Sequence, residues 1–417
     1  MREVKISYRS REFSVKGQEK PWSGISIFVI LFFSFLLLMT FWGCMPEKVI
    51  EKRIVQLDQD KIKSVLKQID LSKQGLSSWQ ELRKPLERSL AYVSAQPSEE
   101  IAIKSYGFEL EWKDLEDTLN TLLDLLPLLD TNQDLLIDHF QWYKIRSKIL
   151  FTGYFEPQIE ASLSPRPGYP YPIYGLPSNL KVADLGQFHP RWQGQSLVYR
   201  IKNGTIHPYY ERKSIEKNGS LKGKSETIAW AKDAVDLFFL QIQGSGILQL
   251  PDGRTKHIGY AGKNGRKYVS LGRVLSDKGY LELESVSMQS IKEYLGQNQD
   301  LLPEILYTNP SYVFFRLRTD GPYGAMGKKI KPLFSLASDP SLLALGSLLV
   351  YSVNLPASKT RGTLPLVGLG LVQDVGGAVK GHHLDLFCGT GDKARYTAGH
   401  LKDRGYAYIL VARDQQL

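Results

Sequence analysis

Apolar residues recur at helical spacing through the first third of the chain. Trp79, Leu82 and Leu86 lie three or four residues apart with charged residues between them, which places them on one face of a helix. A second helical pattern covers residues 115–129, and Pro127 within it is expected to end or kink that helix. Both stripes are typical of core packing, so we predict an N-terminal helical segment.

The pattern changes at about residue 151, where prolines become frequent and the apolar runs become short. Short apolar runs between turn residues indicate strands, whereas three- and four-residue spacing indicates helices. The predicted elements are strands over 196–201, 238–242 and 247–250, and helices over 269–275 and 288–295. Strands and turns alternate again from about residue 320, so the predicted fold class is mainly β with some helix.

Two apolar runs near the C-terminus, 369–373 and 384–387, are predicted to be strands joined by a glycine-rich turn. Asp374 follows the first run, and Asp385 alternates with two leucines in the second, so its carboxylate leaves the opposite face of the strand. Burial beside a cleft can raise the pKa of such a carboxyl enough for proton transfer near neutral pH. A turn-capping Asp374 with a solvated Asp385 explains this segment equally well.

The N-terminus carries a basic segment followed by an uninterrupted apolar run over residues 25–43. This run is long enough to span a bilayer or to form the core of a signal peptide. Cys44 follows Gly43 directly, as the lipid-accepting cysteine follows a small residue in a bacterial lipoprotein signal, although Phe41 and Trp42 are bulkier than usual there. Lipidation at Cys44 and an uncleaved membrane anchor therefore both remain open, and both place the body of the protein on a membrane outside the cytoplasm.

Cysteine and histidine usage argues against a metal site. Cys44 and Cys388 are the only cysteines, so no disulfide framework or zinc site can be built from them. His382 and His383 adjoin Asp385, but neighbouring side chains on a strand point to opposite faces, and no third ligand stands at a suitable spacing. We therefore expect neither a metal nor another cofactor.

The chain is basic, with 53 lysines and arginines against 43 acidic residues and a net charge of +10. A basic surface suits nucleic acid, anionic lipid or an anionic polymer. The export signal disfavours nucleic acid and favours an acidic polymer of the cell envelope. Ordinary solvated basic faces account for the charge as well.

Several segments occur in the order found in one family, and the chain resembles the lytic murein transglycosylase A family. Its three-aspartate signature resembles Ala337–Pro340, Gln373–Gly381 and Leu384–Phe387, and its upstream marks resemble Phe151–Pro157, Phe239–Gly246, Gly259–Gly265, Ser287–Gln289 and Asn309–Phe315. One departure is residues 343–346, which read Leu-Ala-Leu-Gly where the family usually has Ile-Pro-Leu-Gly. That difference bears on the shape of a loop more than on the chemistry.

The resemblance implies a discontinuous double-psi β-barrel domain with an inserted second β-rich domain. The implied divisions are a signal peptide or anchor over 1–44, a helical segment with the first part of the barrel over 45–156, an inserted substrate-groove domain over 157–318, and the rest of the barrel over 319–417. The catalytic aspartates lie in the last of these. Sequence patterning alone does not reveal this pairing of distant segments.

The resemblance also implies a function. Members cleave the β-1,4 bond between N-acetylmuramic acid and N-acetylglucosamine in peptidoglycan, and leave 1,6-anhydromuramic ends. Asp385 matches the single acid/base, while Asp374 and Asp339 orient loops or tune Asp385. A turn residue before Pro340 is an equally good interpretation of Asp339. The expected partners are glycan strands and, through the N-terminal anchor, a membrane facing the periplasm, the outer membrane if Cys44 is lipidated. A non-catalytic wall-binding lipoprotein is the alternative.

Further residues in these segments carry groups that suit a sugar polymer. Tyrosines can stack on sugar rings, amides and hydroxyls can bond hydroxyl or acetamido groups, and a lysine can meet a lactyl or peptide carboxylate. The expected substrate contacts are Thr152, Tyr154, Gln243, Ser245, Tyr260, Asn264 and Lys380.

Overall fold

The computed structural model describes residues 54–105, 107–357 and 362–413. The apolar run 25–43 and Cys44 lie outside these residues. Within the described ranges, no helix combines the length and the hydropathy needed to cross a membrane.

The strands are β1 Ile54–Gln56, β2 Ile101–Ser105, β3 Phe108–Glu111, β4 Phe140–Ile145, β5 Ile149–Glu156, β6 Gln158–Ser162, β7 Tyr171–Tyr174, β8 Lys181–Asp184, β9 Ser196–Lys202, β10 Thr205–Pro208, β11 Thr227–Ala231, β12 Ser245–Gln249, β13 Thr255–Lys263, β14 Val313–Arg318, β15 Ser335–Ser338, β16 Leu348–Pro356, β17 Thr363–Asp374, β18 His383–Thr390 and β19 Lys402–Ala412. The α-helices are α1 Gln59–Leu66, α2 Arg83–Val93, α3 Trp112–Leu129, α4 Leu135–Asp138, α5 Arg212–Glu216, α6 Ala234–Gln243, α7 Leu271–Asp277, α8 Met288–Gln297, α9 Leu302–Tyr307 and α10 Gly391–His400.

The N-terminal helices form as their apolar spacing predicts. Trp79 and Leu82 lie in a short 3-10 turn that leads into α2, and together with Leu86 they are fully buried. The second predicted helix is α3, which contains Pro127 and ends two residues later at Leu129. These helices share one hydrophobic core with the strands of the main sheet.

That sheet closes into a barrel. The strand order is β19–β16–β17–β15–β18–β5, and β5 also pairs with β19, so six strands of the described chain form the closed barrel. The pairs β5–β18 and β15–β17 are parallel, whereas β16 is antiparallel to both of its neighbours. One barrel strand, β5, therefore comes from a segment far upstream of the other five. The predicted mainly β fold is confirmed.

Gln74 ties the N-terminal segment to this barrel. Its side chain is buried, and its Nε2 donates to the carbonyl oxygens of Leu333 at 2.5 Å and Leu369 at 2.7 Å, while its Oε1 accepts from the Leu369 amide at 3.0 Å. A Cβ on Gly368 would lie 2.4 Å from the Gln74 amide carbon. Glycine at position 368 therefore leaves room for the Gln74 side chain, which forms hydrogen bonds with backbone groups of Leu333 and Leu369.

The middle of the chain forms its own sheets. A six-stranded sheet has the order β14–β13–β12–β6–β11–β7, and a three-stranded sheet has the order β10–β9–β8. Helices α6 to α9 pack around a separate apolar cluster. The predicted strands at 196–201 and 247–250 correspond to β9 and β12, and the predicted helices at 269–275 and 288–295 correspond to α7 and α8.

The predicted strand at 238–242 is wrong, because this segment lies inside helix α6. The helix places Leu240 in the core of the six-stranded sheet and Phe238 in the neighbouring helical cluster, so its apolar residues cover more than one face. A helix buried on several sides loses its 3.6-residue pattern. The sequence signals that indicate this helix lie at its two ends. Asp233 accepts a hydrogen bond from the Asp236 amide as N-cap, and Gly244 ends the helix with φ 77°.

Candidate active site

Asp385 lies on barrel strand β18, between β5 and β15. Its Cα partners are Thr152 on the parallel strand β5 and Ala337 on the antiparallel strand β15. Leu384 and Leu386 are fully buried on the opposite face, whereas Asp385 is half-buried, as the alternation predicts. The Thr152 hydroxyl donates to Asp385 Oδ1 at 2.7 Å. The carboxyl is therefore held on one side by a single hydroxyl.

The environment of Asp385 favours its protonated form. Burial raises the pKa of Asp385 to about 7; the hydrogen bond from Thr152 opposes the rise, and the negative charge of Asp374 adds to it. A carboxyl with a pKa near 7 holds its proton in a large fraction of molecules at neutral pH. It can therefore give up a proton and take one back under the same conditions.

His383 completes a short chain of polar groups. It stands two residues before Asp385 and so leaves β18 on the same face, and its Nε2 lies 2.8 Å from Thr152 Oγ1. Burial lowers the pKa of His383, with a hydrogen bond to the Ala378 backbone opposing, so the ring is neutral at neutral pH. The single hydroxyl proton of Thr152 can go to Asp385 when that carboxyl is ionised, or to the imidazole when the carboxyl carries its own proton.

Sequence reasoning considered His383 only as a metal ligand and missed this contact. The available signal was its two-residue spacing from Asp385, which puts both side chains on one face of a strand. The partner that joins them, Thr152, comes from a strand 233 residues upstream of Asp385.

Asp374 lies at the end of β17 and is held by more donors than Asp385. Its Oδ2 accepts from the Tyr154 hydroxyl at 3.0 Å, and its Oδ1 accepts from the backbone amides of Ala325 at 2.9 Å and Val375 at 2.8 Å. Burial raises the pKa of Asp374 to about 6, while these three hydrogen bonds oppose the rise. Hydrogen bonding therefore favours the ionised form of Asp374 more strongly than that of Asp385.

Gln373, which is buried, and Gly153, which is half-buried, position these carboxyls. Gln373 accepts from the Ser335 hydroxyl and donates to Ser89 Oγ at 2.8 Å, which fixes the end of β17 against β15 and helix α2. Gly153 stands between Thr152 and Tyr154, where a Cβ would lie 2.8 Å from the Cα of Ala398. Helix α10 can therefore pack closely on β5 only because this residue is glycine.

Cys388 is a structural residue of β18. Burial raises the pKa of its thiol well above the ordinary range, which leaves it protonated and unreactive. A Cβ added to Gly153 would lie 2.9 Å from the Cys388 Sγ. The thiol therefore fills the space between β5, β18 and α10.

Asp339 joins two loops at the edge of the site. Its Oδ2 accepts from the Gly381 amide at 2.8 Å and its Oδ1 from the Ser341 amide at 3.1 Å, and the Lys380 ammonium lies 3.9 Å from Oδ1. Burial raises the pKa of Asp339, but these hydrogen bonds and the Lys380 charge outweigh it and lower the pKa overall. Asp339 thus acts as an ionised anchor for the loop between β17 and β18. Lys380 itself is mostly exposed.

The other expected substrate contacts lie at different distances from this centre. Gln243, the last residue of α6, accepts from the Phe155 amide at 3.1 Å and so borders β5 beside Tyr154. Ser245 begins β12 and is half-buried, and Tyr260 on β13 is 46% exposed. The structure thus brings Thr152 and Tyr154 directly to the aspartates, and Gln243 to their border.

Asn264 occupies a different environment. It is 1% exposed, its Nδ2 donates to the carbonyls of Tyr210 and Pro310, and its Oδ1 accepts from the amides of Arg266 and Tyr312. The amide groups are fully used inside the protein and leave no surface for a sugar. In this structure Asn264 holds its own loop, in contrast to the expected contact with substrate.

The fold and the site together define a closed β-barrel protein with two carboxyls, Asp374 and Asp385, whose pKa values are raised by burial. A family model described as "MltA specific insert domain" matches residues 150–316, and one described as "3D domain" matches residues 334–411. The chain belongs to the membrane-bound lytic murein transglycosylase A (MltA) family.

Curated relatives support this placement. The membrane-bound lytic murein transglycosylase A of Vibrio cholerae is 34% identical over 269 residues, which cover 64% of this chain and 66% of that protein. The protein of the same name from Escherichia coli K12 is 32% identical over 267 residues, with 63% and 65% covered. The chain thus spans slightly less than two thirds of the length of these relatives.

Solved structures show the same fold. The membrane-bound lytic murein transglycosylase of Agrobacterium tumefaciens superposes with a TM-score of 0.69 at 25% identity, covering 86% of this chain and 98% of that one. MltA from Neisseria gonorrhoeae gives a TM-score of 0.64 at 30% identity, with 81% and 89% covered.

Two substitutions are predicted to move the pKa of Asp385 in opposite directions. Thr152→Val removes the donor that favours the carboxylate, so the pKa should rise above about 7. Asp374→Asn removes a like charge, so the pKa should fall. Carbon-13 NMR of aspartate-labelled protein measures both shifts without relying on activity. Shifts of the same sign in the two variants would show that this electrostatic account is wrong.

Proposed function

We propose that this protein is a peptidoglycan lytic transglycosylase that uses Asp385 as its only acid/base. Protonated Asp385 gives its proton to the glycosidic oxygen, the bond from that oxygen to C1 of N-acetylmuramic acid breaks, and N-acetylglucosamine leaves with a free hydroxyl. The C6 hydroxyl of the same muramic residue then bonds to C1 and returns its proton to the Asp385 carboxylate. The new end is a 1,6-anhydro sugar, and no water is consumed.

The observation that carries this proposal is the unequal hydrogen bonding of the Asp385 and Asp374 carboxyls. Asp385 accepts a single hydrogen bond from Thr152, and burial raises its pKa to about 7, which favours the protonated form, whereas three donors favour the ionised form of Asp374. An ordinary glycosidase needs a second carboxyl as nucleophile or base. An internal C6 hydroxyl replaces that group, because a nucleophile that is already attached reacts at a high effective molarity.

The surrounding residues fit supporting roles. Asp374 raises the pKa of Asp385 by its charge, and Asp339 anchors the adjacent loop. Tyr154 and Tyr260 stack on sugar rings, Gln243 and Ser245 bond polar sugar groups, and Lys380 meets a carboxylate of the muramyl residue. The relatives named above carry the name of a lytic murein transglycosylase, which supports this choice of substrate.

The domain division belongs to the same proposal. Residues 45–156 and 319–417 build the barrel domain, and residues 157–318 are an insertion that forms the other wall of the glycan groove. This division agrees with the strand order, in which β5 joins strands from beyond residue 334. Limited proteolysis that released 157–318 as a fragment unable to bind glycan alone, with the remainder still folded, would support it.

Replacing the proposed acid tests the function directly. Asp385→Asn keeps the size of the side chain but removes the transferable proton, so turnover of isolated peptidoglycan should fall about 100- to 10,000-fold, while glycan binding is retained. Asp374→Asn should cost less. Asp277→Asn, an exposed residue on α7, is the matched control and should leave turnover unchanged.

The pH dependence follows from the same group. The reaction starts from protonated Asp385, so the wild-type rate should fall as the pH rises through about 7.

Full activity in Asp385→Asn would show that another group is the acid. A wild-type protein that binds sacculi with no turnover would favour the alternative of a non-catalytic wall-binding lipoprotein.

We also propose that the protein is held on a membrane of the cell envelope through its N-terminus, by a lipid on Cys44. The apolar run 25–43 and the small residue before Cys44 motivate this proposal. Palmitate labelling in cells should be lost in Cys44→Ala, and Cys388→Ala is the matched control that keeps the label. Membrane attachment that persists in unlabelled Cys44→Ala would instead indicate an uncleaved anchor.

A further inference from the structure

Positive charge is concentrated at one corner of the barrel, where strands β4, β5 and β19 meet. This basic corner consists of Lys144, Lys148, Lys402 and Arg404. Lys148, Lys402 and Arg404 are exposed, and Lys144 is half-buried. Arg146, in the turn between β4 and β5, is exposed as well. The corner therefore presents several ammonium and guanidinium groups to solvent.

The ring of Tyr406 shows that these side chains lie on one face of the sheet. Lys144 Nζ lies 4.3 Å from the centre of the Tyr406 ring, and Lys148 Nζ lies 6.0 Å from it. Lys402 and Arg404 precede Tyr406 on β19 by an even number of residues, so alternation puts all three side chains on the same side of the strand. The four cations are therefore neighbours in space, although they come from distant segments of the chain.

Little negative charge balances the basic corner. Residues 144–148 contain no acidic residue, and residues 402–404 contain one, Asp403. The Asp403 Oδ2 accepts a hydrogen bond from the Asn354 amide on β16 at 2.7 Å, so this carboxylate is directed to the neighbouring strand. In the part of the chain that the structure describes, none of the four cations forms an ion pair with an acidic side chain. The corner therefore carries a net positive charge that an external anionic surface can neutralise.

The proposed membrane tether enters the fold at the same corner. Strand β1 pairs antiparallel with β4, and Ile54 at its start lies opposite Ile145, next to Lys144. Ile54 stands ten residues after Cys44, and a fully extended chain of that length spans at most about 35 Å. A lipid on Cys44, or an uncleaved anchor just before it, therefore keeps the basic corner within reach of the lipid surface.

We propose that the basic corner docks on the anionic headgroups of the membrane that holds the N-terminal anchor. The proposal rests on the membrane attachment proposed above, and it names the surface of the folded protein that faces the lipid. Each lysine or arginine close to an anionic lipid surface strengthens binding, over a range that salt limits to about 10 Å. The short tether raises the local concentration of lipid at the corner, so a modest attraction suffices for docking.

The position of the corner favours lipid over the glycan strand as its partner. In the closed barrel β19 is two strands away from β18, with β5 between them. The outer face of β19 therefore points in a different direction from that of Asp385 on β18. Docking through β4 and β19 leaves the Asp385 side of the barrel open to the cell wall. The lipid surface thus orients the active site as well as holding the protein.

The test measures how close the basic corner lies to lipid in the full-length protein. A fluorescent amino acid replaces Ser147, beside Lys148, and the protein is reconstituted on vesicles that carry an energy acceptor on their headgroups. Energy transfer should be stronger on an equal mixture of phosphatidylcholine and phosphatidylglycerol than on phosphatidylcholine alone, and it should fall at high salt. Equal transfer on both kinds of vesicle would overturn the proposal.

Removing two of the charges should weaken docking without detaching the anchor. Lys148→Gln combined with Arg404→Gln should lower the ratio of docked to undocked protein roughly 25-fold, about fivefold for each cation. Lys402, the member of the corner nearest the active site, stays unchanged. The matched control combines Lys213→Gln with Lys217→Gln, which removes the same charge from exposed positions at α5 and should leave the transfer unchanged. Equal losses in the two double variants would show that net charge, and not the corner, is responsible.

Two further measurements separate this proposal from its alternatives. If the corner binds the glycan strand instead, Lys148→Gln with Arg404→Gln should lose affinity for isolated sacculi and keep the wild-type energy transfer, which would overturn the docking on lipid. A wild-type protein that fails to float with either kind of vesicle would contradict the membrane attachment proposed above, and the docking with it. Both replaced side chains are exposed, so the variant should melt at the same temperature as wild type.

Discussion

The parallel pairing of β5 with β18 is the constraint on which the site depends. It sets Thr152 opposite Asp385 and Tyr154 opposite Phe387, so one upstream strand supplies a polar contact to each of the two carboxyls. Helix α10 packs tightly on β5 beside this pairing, which the absence of a side chain at Gly153 permits. Parallel strands are joined by long connections, and here that connection contains the whole middle region of the chain.

The electrostatics of the site follow from unequal hydrogen bonding of two carboxyls in similar surroundings. Burial disfavours the charged form of both. Asp374 receives three donors, two of them backbone amides, whereas Asp385 receives one hydroxyl. The charge that Asp374 retains then adds to the rise in the pKa of Asp385. These separate environments are what the proposed function uses, with Asp385 as the proton carrier and Asp374 as a fixed charge.

Local patterns in the sequence predicted local features well. Alternation placed Asp385 opposite its leucine neighbours, and helical spacing placed Trp79, Leu82 and Leu86 in the core. The strand predicted at 238–242 failed because α6 is buried against two clusters and lacks a polar face. Asn264 illustrates another limit. The sequence does not distinguish a polar residue that contacts substrate from one whose hydrogen bonds are all made inside the protein.

The contacts between distant segments were beyond the sequence patterns. Thr152 and Asp385 are 233 residues apart, and nothing in the periodicity of either strand states that they pair in parallel. The resemblance to a family supplied that expectation for the barrel as a whole. It did not supply the His383–Thr152 contact, because that contact depends on the direction of side chains across two strands that only coordinates reveal.

The central claim is that an internal hydroxyl, and not water, ends the cleavage step assisted by Asp385. Digestion of purified glycan strands in water enriched in oxygen-18, followed by mass spectrometry of the products, tests it most directly. The account predicts muramic ends that lack reducing groups, contain no heavy oxygen and are one water lighter than hydrolysis products. Reducing ends that each contain one oxygen-18 atom would contradict it and identify a hydrolase.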